Sequence, residues 1–166
     1  MFVAYHYPPM RSPGVERSAK FARYLPEFGY RAQVVSSGAF GGDDESTLRA
    51  WEPIALYRRL FNAAARRDVV AATRTRTHGP LAGPAARARR WLLVPDGQIT
   101  WLPGAAWSGL RWLRRHGADV IYTTSPPASA HLLGRFLQAQ TGLPWVADFR
   151  DAWLYDPLDP ALRSMP

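Results

Sequence analysis

Three short segments hold the side chains in this sequence whose types and spacing could do chemistry. HYPPMRSPG (residues 6–14) carries His6 and Gly14, with Arg17 just beyond it; TTSPP (123–127) carries Thr124 and Ser125; DFRDAW (148–153) sets Asp148 and Asp151 on either side of Arg150. Carboxylates and hydroxyls accept the proton of a bound hydroxyl group, and a guanidinium forks onto a carboxylate or phosphate. Asp148 and Asp151 are therefore candidates to position a substrate hydroxyl, Asp148 being the first choice for a catalytic role, with Arg150 steering an anion. The same residues have a plainer reading, in which Asp151 caps a following turn and Arg150 pairs with Asp148. Two carboxylates alone are a thin ligand set, so no metal is expected. Gly14 and Arg17 lie where a loop enters a helix, a place where backbone can approach a ligand closely. His6 is either cleft-lining or structural, His131 is structural or solvent-facing, and His78 and His116 are expected to be exposed.

The elements that must position these residues alternate between strand and helix. Phe2 to Tyr7 is a β-rich run that ends at Pro8-Pro9, and Val15 to Phe28 places Phe21, Leu25 and Phe28 at helical spacing. Ser12-Pro13 suits the start of that helix as cap and first residue, Glu16 falls one place late for a capping box, and Gly29 suits its end. Arg31 to Ser37 reads as a second strand, Gly38 to Ser46 as a polar loop, and Pro53 to Arg67 as a helix. Residues 68–90 carry mixed signals: Val69 to Thr73 suits a strand, and the Gly-, Pro-, Ala- and Arg-rich run after it suits a basic loop or weak helix. Leu102 to His116 is predicted helical, with Ala106, Leu110 and Leu113 on one stripe and Gly117 at its end. Ala118 to Thr124 is a buried strand. Ser125-Pro126 then reads as cap and first residue of a helix reaching about Gln140, with Gly142 after it, and Leu143 to Phe149 is the next strand.

Strand, helix and strand at this spacing form a βαβ unit, so the expected class is α/β with a Rossmann-like parallel sheet flanked by helices. Ligands of open parallel sheets bind beyond the carboxyl ends of the strands, and all three chemical segments fall there. The first loop lacks the glycine fingerprint of a dinucleotide site, and no Walker loop is present. The helix after Ser125 is a poor phosphate cradle, because Pro126 and Pro127 remove two amide donors.

The length of 166 residues suits one domain, 1–166. At 47% hydrophobic, with seven each of Trp, Tyr and Phe, the chain is too apolar for disorder. Without cysteine, a disulfide scaffold, a thiolate metal site and a Cys nucleophile are excluded. The first ten residues do not read as a signal peptide, and no apolar run is long enough to span a membrane, so the expected location is cytoplasmic, at most at the inner face of the membrane. The formal charge of +8 is confined to one stretch. Residues 1–56 and 91–166 each balance to zero, whereas between Tyr57 and Arg90 nine arginines (Arg58, Arg59, Arg66, Arg67, Arg74, Arg76, Arg87, Arg89 and Arg90) face Asp68 alone. Such a stretch is a solvated basic face or a contact for an anionic membrane; nucleic acid is the weakest of the three readings, since no zinc finger or RRM-type aromatic signature accompanies it. Trp101, Trp107 and Trp112 are expected to pack rather than to stack on a sugar or sit at a membrane.

The segments YHYPPMRSPGVERSAKFARYLPEFGYRAQVVSS, LVPDGQITWLPGAAW and DVIYTTSPPASAHLLGRFLQAQTGLPWVADFRDAW resemble, in order and over nearly the whole chain, the amino-terminal domain of bacterial family 4 glycosyltransferases. The resemblance implies half of a GT-B fold, in which two Rossmann-like domains face a cleft. The first domain holds the sugar acceptor, and the second holds the nucleotide-sugar through a glutamate and basic residues. It also implies a retaining, metal-independent transfer onto a cell-envelope or secondary glycan precursor. On that basis His6, Gly14, Arg17, Thr124, Ser125, Asp148, Arg150 and Asp151 are acceptor-site candidates, and the expected partner is a sugar or lipid-linked acceptor. No cofactor is expected in this chain: the nucleotide-sugar would come only with a donor-binding domain, fused or separately encoded, and the chain alone is expected to be inactive. Family members place a substrate-contacting histidine where this sequence has Thr124, which can hydrogen-bond but cannot serve as a general base near neutral pH. A noncatalytic module docking on an anionic membrane through residues 57–90 is the alternative.

Overall fold

The computed structural model describes residues 1–41, 44–53 and 95–150. Among them, five strands form one parallel sheet in the order β3-β2-β1-β4-β5: β1 Phe2–Val3, β2 Val34–Ser37, β3 Thr47–Ala50, β4 Ile121–Ser125 and β5 Trp145–Phe149. The α-helices that accompany it among the described residues are α1 Pro13–Tyr24, α2 Leu102–His116 and α3 Ser129–Thr141. The Rossmann-like α/β class read from the sequence is the one observed. Strand alternation divides the core between the two faces. Val3, Tyr5, Val35 and Ile121 join Ala105 and Leu113 of α2 and Leu133 and Leu137 of α3 on one side, whereas Phe2, Ala4 and Val34 meet Ala22 of α1 on the other. Each fully buried Val, Leu or Ile side chain of this set contributes about 1.5–3 kcal/mol relative to exposure.

Several boundaries differ from the sequence reading, for local reasons. The first helix is α-helical only from Pro13 to Tyr24 and tightens to a 3-10 turn over Leu25–Phe28, where Pro26 lacks the N–H that the next α-helical bond would use. Ser12 is its cap, accepting from Val15 N at 3.3 Å, and Gly29 ends the turn at φ 82°. Thr47–Ala50 is a strand the sequence reading missed. Its four residues are too few to show alternation, and its pairing with β2, register Val34↔Thr47 to Ser37↔Ala50, is what makes it one. Ser125 closes β4 rather than capping a helix, and α3 begins only at Ser129. The two prolines after Ser125 have no N–H to offer, and the first donor of α3, Ser129 N, is taken instead by the carboxylate of Asp96 at 2.6 Å. The helix of Leu102–His116 stands as expected, and Gly142 ends α3 at φ 72°.

Trp101 is fully buried, with its indole N–H donating to Ser129 Oγ at 3.2 Å, and Trp112 is packed against the same core. Trp107 is exposed, contrary to the packing expected of it: it lies outside the buried stripe of Ala105, Gly109 and Leu113. The helix expected over Pro53 to Arg67 lies outside the described residues beyond its first position, as do all of 68–90, the nine arginines, His78 and Asp151. No helix among the described residues is long and apolar enough to cross a membrane.

Candidate functional site

Register places the central pair of the site. β4 and β5 run parallel with Thr124 opposite Asp148, so both side chains leave the sheet on the face that carries α1. Thr124 is buried, and its hydroxyl donates to Asp148 Oδ2 at 2.8 Å. From α1, Arg17 forks onto the same carboxylate, Nη1 to Oδ2 at 2.5 Å and Nη2 to Oδ1 at 3.3 Å. The Tyr122 phenol, two residues before Thr124 on the same face, lies beside Asp148 and Arg17 and interacts electrostatically with both. Arg150 does not pair with Asp148. Its Nε donates to Ser125 O and its Nη1 to Gly14 O at 3.1 Å, which ties the loop after β5 to the end of β4 and to the first turn of α1. Ser125 Oγ reaches the main-chain oxygen of Asp148 at 3.4 Å.

Gly14 leaves room for the Arg150 guanidinium. A Cβ there would sit 2.5 Å from Arg150 Nη1 and 3.2 Å from its Cζ. The guanidinium of Arg150 makes a close approach at this position.

Burial pushes the Asp148 carboxyl up, but hydrogen bonds from Arg17, Thr124 and Tyr122 together outweigh it and hold the group below its ordinary value. Asp148 is thus a carboxylate at neutral pH, suited to accept hydroxyl protons in hydrogen bonds and poorly suited to donate one. The Tyr122 phenol is pushed up to about 12, first by burial and then by the neighbouring Asp148 charge. It remains a neutral donor.

His6 packs edge-on to Tyr5 at 4.7 Å and beside Phe40 at 5.4 Å, on the part of the rim above β1 and β2. Beneath it lies a buried carboxylate the sequence reading missed. Glu52, 2% exposed, accepts from the Tyr5 hydroxyl at 3.1 and 3.2 Å and from Ser37 Oγ at 2.6 Å, joining the carboxyl ends of three strands. Arg49 fixes the loop after β1, donating to Ser36 Oγ at 3.1 Å and to Pro8 O. His131 is structural: buried on α3, its Nδ1 is 2.7 Å from Thr123 Oγ1, and burial lowers its pKa. His116 is exposed, as expected. The N-termini of α1 and α3, the natural anion sites of this rim, are filled from within by Ser12 and Asp96.

Of the sequence candidates, then, Gly14, Arg17, Thr124, Ser125, Asp148 and Arg150 come together, while His6 belongs to the Tyr5 cluster. Tyr122 and Asp96 were missed. The strand period, which puts Tyr122 on the face of Thr124, carried a signal for the first; the Asp96-Gly97 turn preceding α2 carried one for the second.

This ordered rim, on a parallel sheet with α1 entering directly after β1, is what the comparisons with known proteins bear upon. The family model described as glycosyl transferase 4-like domain matches residues 14–165. The chain belongs to that family. Curated proteins and solved structures give no match. The glycosyl transferase 4-like match takes in Gly14, Arg17, Thr124, Ser125, Asp148 and Arg150, so the whole interlocked rim lies inside the family's domain and the chain is a glycosyltransferase module.

Proposed function

We propose that this module is the acceptor-side domain of a glycosyltransferase, and that the rim of Thr124, Ser125, Asp148 and Arg17 holds a sugar hydroxyl or a phosphate-linked sugar. The observation that carries the reading is the Asp148 carboxylate. It is ionised, 17% exposed, and oriented from both sides by Thr124 and Arg17, so an incoming hydroxyl meets an acceptor whose position is already set. The half-exposed Arg17 guanidinium beside it suits an anionic group on the same ligand. Asp148 acts here by orientation, since a carboxylate held below its ordinary pKa is a weak base.

The filled N-termini of α1 and α3 favour an acceptor over a donor diphosphate at this rim. Donor-holding groups are then supplied by a second domain, and the 166-residue chain alone does not sustain transfer. The test is a spectroscopic titration of the isotope-labelled chain with a panel of sugars and short lipid-linked sugar phosphates, run beside a transfer assay with nucleotide-sugars. Shifts gathered at Thr124, Ser125, Asp148 and Arg150 with no repeated turnover support the proposal. Steady multiple turnover by this chain, or shifts that map away from the rim, overturn it.

A second reading, docking on an anionic membrane through residues 57–90, is favoured by the charge excess of that stretch alone. Changing Arg66, Arg67, Arg89 and Arg90 together to Gln removes salt-sensitive vesicle binding if it is right.

A further inference from the structure

The outer flank of α1 presents an unusual surface. Phe21 is 43% exposed, Tyr24 49%, Phe28 74% and Tyr30 56%, four large aromatic residues within ten positions. Helical spacing puts Arg17, Phe21, Tyr24 and Phe28 along one stripe, with Lys20 beside it, and the 3-10 turn of Leu25–Phe28 carries that stripe past the end of the helix. Its upper half is an open depression of about 530 Å³ between Pro13 and Tyr24. Packing explains only part of this. Phe21 stacks on Tyr122 at 5.3 Å and through it on Phe2, whereas Phe28 and Tyr30 stand out in solvent.

We propose that this flank, from Lys20 to Arg31, is a seat for an anionic lipid surface. Aromatic rings on a helix flank and in the turn after it are the groups that settle at the boundary between headgroups and acyl chains, and basic residues around them meet the anionic headgroups. Lys20, Arg23 and Arg31 are exposed and surround the rings. Between residues 11 and 31 five basic residues face two acidic ones, Glu16 and Glu27, and among the described residues Arg17 is paired with Asp148. The same charge disfavours a second copy of the chain as occupant, since two such flanks would bring like charges together.

The seat also has a consequence for the rim. The first turns of α1 carry Gly14 and Arg17, beside Asp148, so a chain lying on its α1 flank holds the rim within one helix length of the headgroups. The seat is distinct from the arginine stretch of residues 57–90, and it stands or falls independently of the acceptor reading.

The experiment uses the full chain and sedimentation with vesicles of phosphatidylglycerol and phosphatidylcholine, or of phosphatidylcholine alone. Binding is expected on the anionic vesicles and not on the neutral ones. Lys20→Gln, Arg23→Gln and Arg31→Gln together lower it roughly a hundredfold, from the electrostatic contribution of three surface cations. Phe28→Ser with Tyr30→Ser lowers it on the order of tenfold, and because neither ring is buried the melting temperature holds. The Arg66, Arg67, Arg89 and Arg90 variant keeps the aromatic-dependent part. The chain has no cysteine, so a Phe28→Cys variant takes one environment-sensitive dye, and its emission is expected to shift to the blue on anionic vesicles. Absence of binding, equal binding to neutral vesicles, binding unchanged in the aromatic variant, or a dye that stays in water each overturns the proposal.

Discussion

Replacing Asp148 by Asn removes one charge at the point where β4, β5 and α1 meet, and the structure sets the size of the effect. The carboxylate takes two donors from Arg17 and one from Thr124. Arg17 is 52% exposed, so solvent screening limits its pair to at most about 1 kcal/mol. Thr124 is buried, and its hydrogen bond to a charged acceptor is worth about 1.5–3 kcal/mol, part of which an amide oxygen retains. The sum is a loss of roughly 2 kcal/mol, or a fall in melting temperature of about 4–8 °C for a chain of this size.

The pH dependence gives that number an internal control. The folded pKa of Asp148 lies below its unfolded value, so between the two the unfolded chain binds more protons and stability rises with pH. The contribution is therefore complete at neutral pH and is lost as acid titrates the folded carboxyl. Differential scanning calorimetry at pH 7 and in acid steps to below the ordinary carboxylate range should show wild type and Asp148→Asn differing most at neutral pH and drawing together as the pH falls. A difference that stays constant with pH, or no difference at neutral pH, refutes the reasoning.

Two further substitutions probe what holds the rim. Gly14→Ala places a methyl 2.5 Å from Arg150 Nη1, so the guanidinium tip must shift and its bond to Gly14 O is displaced; thermal unfolding should show a loss of about 1 kcal/mol despite the better helix propensity of alanine, and an unchanged or raised melting temperature would remove Arg150 from that role. Glu52→Ala strands the buried hydroxyls of Tyr5 and Ser37 and should cost about 2–5 kcal/mol in urea unfolding, whereas Glu52→Gln, which keeps an acceptor, costs clearly less. Equal losses in the two variants would show that side-chain volume, not hydrogen bonding, matters at that position.

The sequence alone determined the class of this protein and the segments that carry its chemistry, because those are written locally. Helical spacing over Leu102 to His116, the Ser12-Pro13 start, and Gly117 and Gly142 at helix ends are read one turn at a time, and the alternation of strand with helix then leaves few arrangements besides a parallel sheet. The order of the TTSPP and DFRD segments along βαβ likewise put Thr124, Ser125, Asp148 and Arg150 on one sheet edge before any contact was known. Which partner each takes was not legible. Arg17 and Asp148 are 131 residues apart, as Arg150 and Gly14 are 136, and no local rule weighs Arg17 against Arg150 as the cation for Asp148. Only the register Thr124↔Asp148, and the angle at which α1 lies across β1 and β4, decided it. The same holds for Glu52 and Asp96, whose burial depends on strands and helices arriving from elsewhere: a carboxylate's environment belongs to the assembled fold, while its position at a strand end belongs to the chain.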